Sequence, residues 1–457
     1  MDVVIIGAGA AGIAAARRLA ASHLSAMVLE ATARVGGRAW TCEVAGMRLD
    51  LGCGWLHSAD RNPWTHIAEG AGFVVDRRAP AWGRQYDDIG FSRTDQAAAR
   101  RAYAAWGQRI ESTPPASDRA ADALEPEGEW NAYLQAISGF MNGAGLEHVS
   151  VVDYTAYDAA ATGYNWRTSA GYGTLIAASL PHPIDLRLST PVEAIELDRR
   201  GVDLTTPVGA VRARAAILTV STAVLAGSTI RVPPGLDAWR HAAAHLPLGR
   251  DEKLFIEIVG KSSFAPETRV IGNPRDRRTG VYHIRPFGWP VIECFVGDEA
   301  ARMVEEMGPA AGFAHAADEL ADLFGSSVRR SVHPLVASNW GRMTFVGGAY
   351  SHALPGHATA RKDLALPFEQ RLFFAGEATH TDDFSTAHGA YESALRAAEE
   401  VIAALARHGG RRPDRSTGIQ SGEALGRPTA MLRSRAAATH RVRERKRVVS
   451  DRVGCSG

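Results

Sequence analysis

Cysteine is scarce in this chain of 457 residues. Cys42, Cys53, Cys294 and Cys455 are too few and too scattered for a disulfide framework or a spaced metal site, which points to a reducing compartment and to no resident metal. Long apolar runs are also missing, since none reaches the roughly 18 residues of a membrane span. The opening MDVVIIGAGAAG has no basic region ahead of its apolar stretch and turns at glycine directly after it, so it does not read as a secretory signal. A cytoplasmic protein is the expectation. No internal repeat is evident.

What is present is enough apolar content, 46%, to bury a large core, in a chain too long for one ordinary domain. Two globular units are expected. The net charge of +1 hides an asymmetry: residues 411–457 hold eleven Arg and one Lys against Asp414, Glu423, Glu444 and Asp451, a net of +8, so the body carries −7. An acidic body favours cationic ligands. The tail, 409–457, is Ser/Gly/Arg-rich without a sustained apolar period and reads as a disordered, solubilising extension rather than a binder of nucleic acid or acidic lipid, RVRERKR at 441–447 included.

The first chemistry-bearing motif follows the short apolar run DVVII. Gly7, Gly9 and Gly12 in GAGAAG stand between a predicted strand and the helical pattern IAAARRLAAS. Gly7 permits a tight turn, Gly9 lets the backbone approach a pyrophosphate and Gly12 allows close helix–strand packing. The helix N-terminus, with Ala11 in its first turn, offers unpaired N–H groups to the phosphates. A second apolar run, AMVL, ends in Glu30 and Ala31, with Glu30 18 residues after Gly12. A carboxylate there accepts hydrogen bonds from a ribose diol and repels a 2′-phosphate, which indicates FAD or NAD rather than NADP. Next come Arg34, Gly36, Gly37 and Arg38, two guanidinium groups around a second glycine turn, suited to the far side of a pyrophosphate.

This RxGGR pattern after the ribose-binding acid resembles the flavin amine oxidase family of monoamine and polyamine oxidases. RLFFAGEATHTDDFSTAHGAYESALRAAEEVIAAL, residues 371–405, is similar to that family's C-terminal flavin-binding segment. LFFA reads as a buried strand, Gly376 turns it toward the cofactor and Glu377 is placed to bond the ribityl or pyrophosphate region. Ser385 or Thr386 can cap the helix that opens at Ala387, aiming its dipole at the flavin. Further segments match in the family's order. LDLGCGWLH (49–57) looks like the strand that enters the active site, with Gly54, Trp55 and His57 near the isoalloxazine. SAGYGTLIAASL (169–180) matches a glycine-rich helix start, STPVEAIELD (189–198) carries Val192 to the adenine, and AAILTVSTAVL (215–225) is the following strand and turn. SNWGRMTFVGGAYSHALPG (338–356) brings Trp340 and Tyr350 to the substrate. The resemblance spans residues 1 to about 408.

It also gives a role to Lys253. In LPLGRDEKLFIEI (246–258) the alternation makes Leu254, Ile256 and Ile258 one buried face and leaves Lys253 opposite, where a strand lysine ordinarily faces water. The family resemblance instead implies a lysine that holds a water at flavin N5. The expected reaction is oxidation of a neutral amine, a polyamine or another primary or secondary amine, by hydride transfer to FAD, with dioxygen as acceptor, hydrogen peroxide as product and release of an aldehyde with a smaller amine or ammonia. Trp55, Trp340, Tyr350 and Phe384 are expected to wall the site, His57 to meet the amine and His388 to brace a helix N-terminus.

Departures from the family narrow the expectation. ATHTDDFSTA holds no cysteine for a covalent flavin link, so the FAD is non-covalent. Thr386 stands where a cage tyrosine is common, Ser221 replaces the usual proline after TV, and LDLGCGWLH lacks the arginine by which amino-acid oxidases hold a carboxylate. Amines are favoured over amino acids. An L-amino-acid oxidase, a C–C desaturase or protoporphyrinogen-type oxidase, and a chromatin-associated flavin binder are the competing classes. Asp87 and Asp88 are candidates for acidic groups in the substrate tunnel. The implied fold is α/β: a Rossmann-like FAD-binding domain of glutathione-reductase-like type from 1–62, 168–240 and 345–408, with an inserted α+β substrate domain from 63–167 and 241–344.

Overall fold

The sequences VVII, AMVL, AAIL and LFF are continuous rather than alternating apolar runs, as strands covered on both faces require. The computed structural model, which describes residues 1–199, 201–260 and 264–409, assembles them into one parallel sheet. Its order is Leu372–Phe374, Ala215–Leu218, Val3–Ile6, Ala26–Leu29, Asp185–Arg187. Val3, Ile5, Val28, Ile217 and Phe373 point to one side, where the helices Ala10–Ala20 and Ala387–Gly409 cover them with Ala14, Leu19, Ala394, Ala398 and Val401. Val4, Ile6, Leu29, Leu218 and Phe374 point to the other. There Ile195, Val202 and Leu204 of the three-stranded sheet Ala194–Asp198, Gly201–Thr206, Gly209–Ala213 close the core. Strands far apart in sequence are neighbours: Leu372 lies beside Ala216, and Val3 beside Ala215.

A second five-stranded sheet is wholly antiparallel, in the order Thr268–Ile271, Val281–Ile284, Val291–Gly297, Asp251–Ile258, Val332–Ala337. Its alternation is decisive for the site. Val270, Tyr282, Ile284, Ile292, Cys294, Leu254 and Ile256 pack under the helices Asp298–Met307 and Pro309–Phe324. The opposite face carries Arg269, Ile271, Val281, His283, Glu293, Phe295 and Lys253, all of which border a cavity. Lys253 is only 8% exposed, so its face of the strand does not meet bulk water as a lysine of this pattern ordinarily would.

Both sheets belong to one unit, Met1–Ala406, with Arg407–Gly457 forming a second. The apolar spacing of TDQAAARRAYAAWGQRI (94–110) and AAGFAHAADELADLF (310–324) suits helices, and both stretches fall within the helices Arg93–Ser112 and Pro309–Phe324. LDLGCGWLH is a strand only in its first two residues. The strand Met47–Asp50 stops there and Leu51–His57 runs as loop, because Gly52 leaves no room for a side chain beside the Arg38 carbonyl and the Trp340 ring. Residues 410–457, nearly all of the basic tail, lie outside the described residues. Among the described residues no helix is long and apolar enough to cross a membrane.

Candidate active site

A cavity of about 870 Å³ runs from the edge of the parallel sheet to the face of the antiparallel one. Gly7, Gly9, Ala11, Glu30, Ala31, Arg34, Gly36, Gly37 and Arg38 line its first part. Gly7 has φ +104°, which other residues adopt only with strain. Gly12 lies behind the lining: a Cβ there would stand 1.9 Å from the Gly7 carbonyl oxygen, so helix and strand meet at a distance only glycine allows. The two glycine turns are joined, Gly36 N–H donating to the Ala8 carbonyl at 2.8 Å. No side chain caps the helix at Gly9 and no acid stands in its first turn, leaving those N–H groups to the cavity. Glu30 accepts from Ala8 N–H (2.8 Å) and from the amide and hydroxyl of Thr32. Arg34 stacks on Trp40 without a carboxylate partner among the described residues, and burial pushes its guanidinium down to about 10 despite the pull of Glu30.

At the C-terminal turn, Glu377 is buried and fully engaged: its oxygens take Arg38 (2.9 Å), Ser351 N–H and hydroxyl, and Ser385 N–H. Burial alone would raise this carboxyl, but Arg38 and Arg361 with the Ser351 and Ser385 donors hold it below its ordinary value. Between the two candidate caps, Thr386 does the capping, its Oγ1 accepting from Gly389 N–H at 2.9 Å, while Ser385 donates to the Ser351 carbonyl. Ser221 caps its own short helix, Thr222–Ala226.

The remaining candidates line the deeper part, with Val192, Gly54, Gly376, Thr386 and Ala387 on the same wall system. The Lys253 ammonium donates to the Asp50 carbonyl (3.1 Å) and pairs with Glu293 (2.8 Å). Burial raises the Glu293 carboxyl, and the charges of Lys253, His283 and Arg167 more than reverse that, leaving it below its usual value. His57 Nδ1 is 2.8 Å from the Asn165 side-chain oxygen, an acceptor, so Nδ1 carries the proton and Nε2 is left as an acceptor. Burial drops the imidazole to about 4, with His388 and Lys253 adding to the fall and Asn165 opposing it. Trp55 packs edge-on to Trp82 (4.8 Å) under the Arg167 guanidinium. Trp340 is anchored by its indole N–H on the Leu51 carbonyl and Tyr350 by its hydroxyl on the Phe140 carbonyl, so their rings rather than their polar atoms are free to face a ligand.

Three expectations are corrected. Phe384 does not border the cavity; it is buried against Arg361 and Tyr157. Asp87 and Asp88 are not in the lining either, and Asp88 is spent on Arg93 and Gln96. The acidic groups that line its deeper part are Asp251 and Glu293 on the antiparallel sheet, Glu267 just before the strand Thr268–Ile271, and Asp158. Glu293 is the lone charged residue of the apolar run VIECFVG, but only the strand register shows that it shares a face with Arg269 and Lys253. His388 Nε2 lies 3.1 Å from Asp383. His380, Asp383 and Glu392 bring ligand atoms within 4.8 Å of one another, an arrangement already explained by the Arg61–Asp383 and His380–Glu392 pairs.

A family model described as flavin-containing amine oxidoreductase matches residues 91–402. The chain belongs to that family. It is therefore an FAD-dependent oxidoreductase acting on amines. An NAD(P)-binding Rossmann-like model matches residues 5–69. This amine oxidoreductase is 27% identical over 442 residues to polyamine oxidase 4 of Oryza sativa subsp. japonica, covering 87% of the chain and 88% of the relative. It is 25% identical over 457 residues to pseudooxynicotine dehydrogenase of Pseudomonas sp, covering 88% and 85%. Wild-type putrescine oxidase bound to putrescine shares its fold, with a TM-score of 0.69 at 22% identity over 88% of this chain and 99% of that one. The first part of the cavity fits FAD: uncapped helix N–H groups and the unpaired Arg34 suit the pyrophosphate, and Glu30 suits the ribose.

Proposed function

We propose that this amine oxidoreductase is an oxidase of neutral aliphatic amines, using dioxygen and producing hydrogen peroxide. The chemistry that non-covalent FAD supplies when bound is acceptance of a hydride equivalent from the carbon beside nitrogen and passage of the electrons to dioxygen. The chain's own residues bind, orient and keep the site dry. Lys253 spends two of its three N–H bonds on Asp50 and Glu293, and the third is free to hold a water inside the cavity. This fixed, buried ammonium is the observation that carries the reading. Neutral His57 accepts a hydrogen bond from the amine through Nε2, while Trp55, Trp340 and Tyr350 form apolar walls. The resulting imine is hydrolysed by water to an aldehyde and ammonia or a smaller amine.

We assign 1–62, 168–240 and 345–408 to FAD and 63–167 with 241–344 to the substrate. The scarcity of cysteine supports work in the cytoplasm. The test is the visible spectrum of purified protein, then anaerobic bleaching with spermidine, putrescine, aromatic amines and amino acids, then peroxide release in air. A yellow protein bleached by amines is expected; a colourless protein that takes up no FAD, or a flavin that no amine bleaches, ends the proposal.

A further inference from the structure

The charges lining the cavity do not suit an oligocation. Glu293 is paired with Lys253 and Glu377 with Arg38. Glu267 is shared by Arg78, Arg167 and His283 and also accepts the Phe287 N–H. Glu30 is bonded to Ala8 and Thr32, and burial raises Asp251 well above its ordinary value, which disfavours its charge. Only Asp158, exposed near the end of the helix Val151–Ala160, remains as an unpaired anion of the lining.

Against it stand Arg84, Arg100 and Arg269, which line the cavity and meet no carboxylate among the described residues. Arg269 is the most telling of the three. It projects from the strand Thr268–Ile271 on the cavity face, opposite His283, and burial holds its guanidinium down to about 10 with Tyr133 opposing. A guanidinium withdrawn from water without a counter-charge is costly, and a planar fork of donors is matched best by a carboxylate.

The sheet register fixes how far this group lies from the reacting end. Arg269 shares a row with His283, Glu293 and Phe255, and the neighbouring row runs Ile271, Val281, Phe295, Lys253. Three strand spacings separate the strands of Arg269 and Lys253, roughly 14 Å. Less the inward reach of the side chains, that leaves space for an aliphatic chain of about seven carbons.

We infer that the substrate is an amine carrying a carboxylate at its far end, an ω-amino acid, seated with the amine toward Lys253 and the carboxylate on Arg269. This rests on the amine-oxidase reading and narrows its substrate class, away from polyamines. The test uses the FAD-loaded enzyme with three probes of equal length: 7-aminoheptanoate, heptylamine and 1,7-diaminoheptane. Anaerobic flavin bleaching shows which probes reduce the enzyme, peroxide release in air gives KM and kcat for each, and titration of the flavin absorbance with heptanoate reports carboxylate binding without turnover. The amino acid should exceed the diamine in kcat/KM by about tenfold or more. Arg269→Gln should cut the preference for the amino acid over heptylamine about tenfold, mainly through KM, and weaken heptanoate binding equally, while Arg269→Lys keeps most of both. A wild-type enzyme that prefers the diamine, or a preference unmoved in R269Q, overturns the inference. Bleaching by heptylamine but not by the amino acid overturns it and leaves the oxidase reading standing, whereas bleaching by no amine at all removes both.

Discussion

The Lys253 ammonium lies 2.8 Å from the Glu293 carboxylate, although the strand register sets Lys253 opposite Phe295 and Glu293 opposite Phe255. The pair is a diagonal contact on the cavity face, joining adjacent strands. It holds a buried cation in place on the wall instead of letting it swing to solvent.

Replacing Lys253 by Met keeps the length of the side chain and removes its donors. Stopped-flow measurement of the reductive and oxidative half-reactions should show one of them slowed by roughly a hundredfold. Rates within twofold of wild type in both would take Lys253 out of the mechanism.

Glu293→Gln leaves Lys253 buried without its counter-charge, at a cost of about 3–5 kcal/mol at neutral pH. Because the Glu293 carboxyl sits below its ordinary value of 4.5, its stabilising contribution is complete above that value and lost as pH falls through the folded one. The gap in stability between wild type and E293Q, measured by denaturant unfolding, should therefore shrink below about pH 4.5. A gap that is constant down to pH 3 contradicts the pairing.

His57 gives the same slope in a higher window. Its imidazole is depressed from 6.5 to about 4, so between those values the unfolded chain binds a proton that the folded chain refuses, and stability falls with falling pH. His57→Phe should gain stability relative to wild type as pH drops from about 6.5 to 4. No relative gain would mean that the ring is already protonated or solvated.

The glycine turn offers a separation of folding from binding. Alanine at Gly12 would meet the Gly7 carbonyl at 1.9 Å, whereas alanine at Gly9 has its nearest neighbour at 3.8 Å. G12A should lose folded protein altogether, seen by circular dichroism. G9A should melt within a few degrees of wild type as apoprotein yet bind FAD at least about tenfold more weakly, because its methyl enters the cofactor space. Equal FAD affinity in G9A would place the pyrophosphate elsewhere.

The parallel sheet was legible because its strands are buried on both faces and each glycine turn serves a local need; Gly7, Gly12 and Glu30 are set by residues within a single β–α–β stretch. Lys253 was legible only through family likeness, since alternation alone leaves its face open to water. Glu293, Arg269 and Asn165 were missed because what makes each of them matter is a partner or a cavity contributed by a distant segment, which no periodicity records. Asp87 and Asp88 failed for the opposite reason: their acidity is visible in the string, but nearby Arg93 and Gln96 take up Asp88 outside the cavity.

The strand Leu372–Phe374 completes the sheet edge beside Ala215–Leu218, and the helix from Ala387 roofs it. A ribosome must therefore pass residue 374 before the nucleotide cleft has its last wall. Until then Val3, Ile5 and Ile217 lack part of their cover, so capture of the cofactor waits for that strand and its helix, and a chain cut short before residue 372 emerges as prey for proteases.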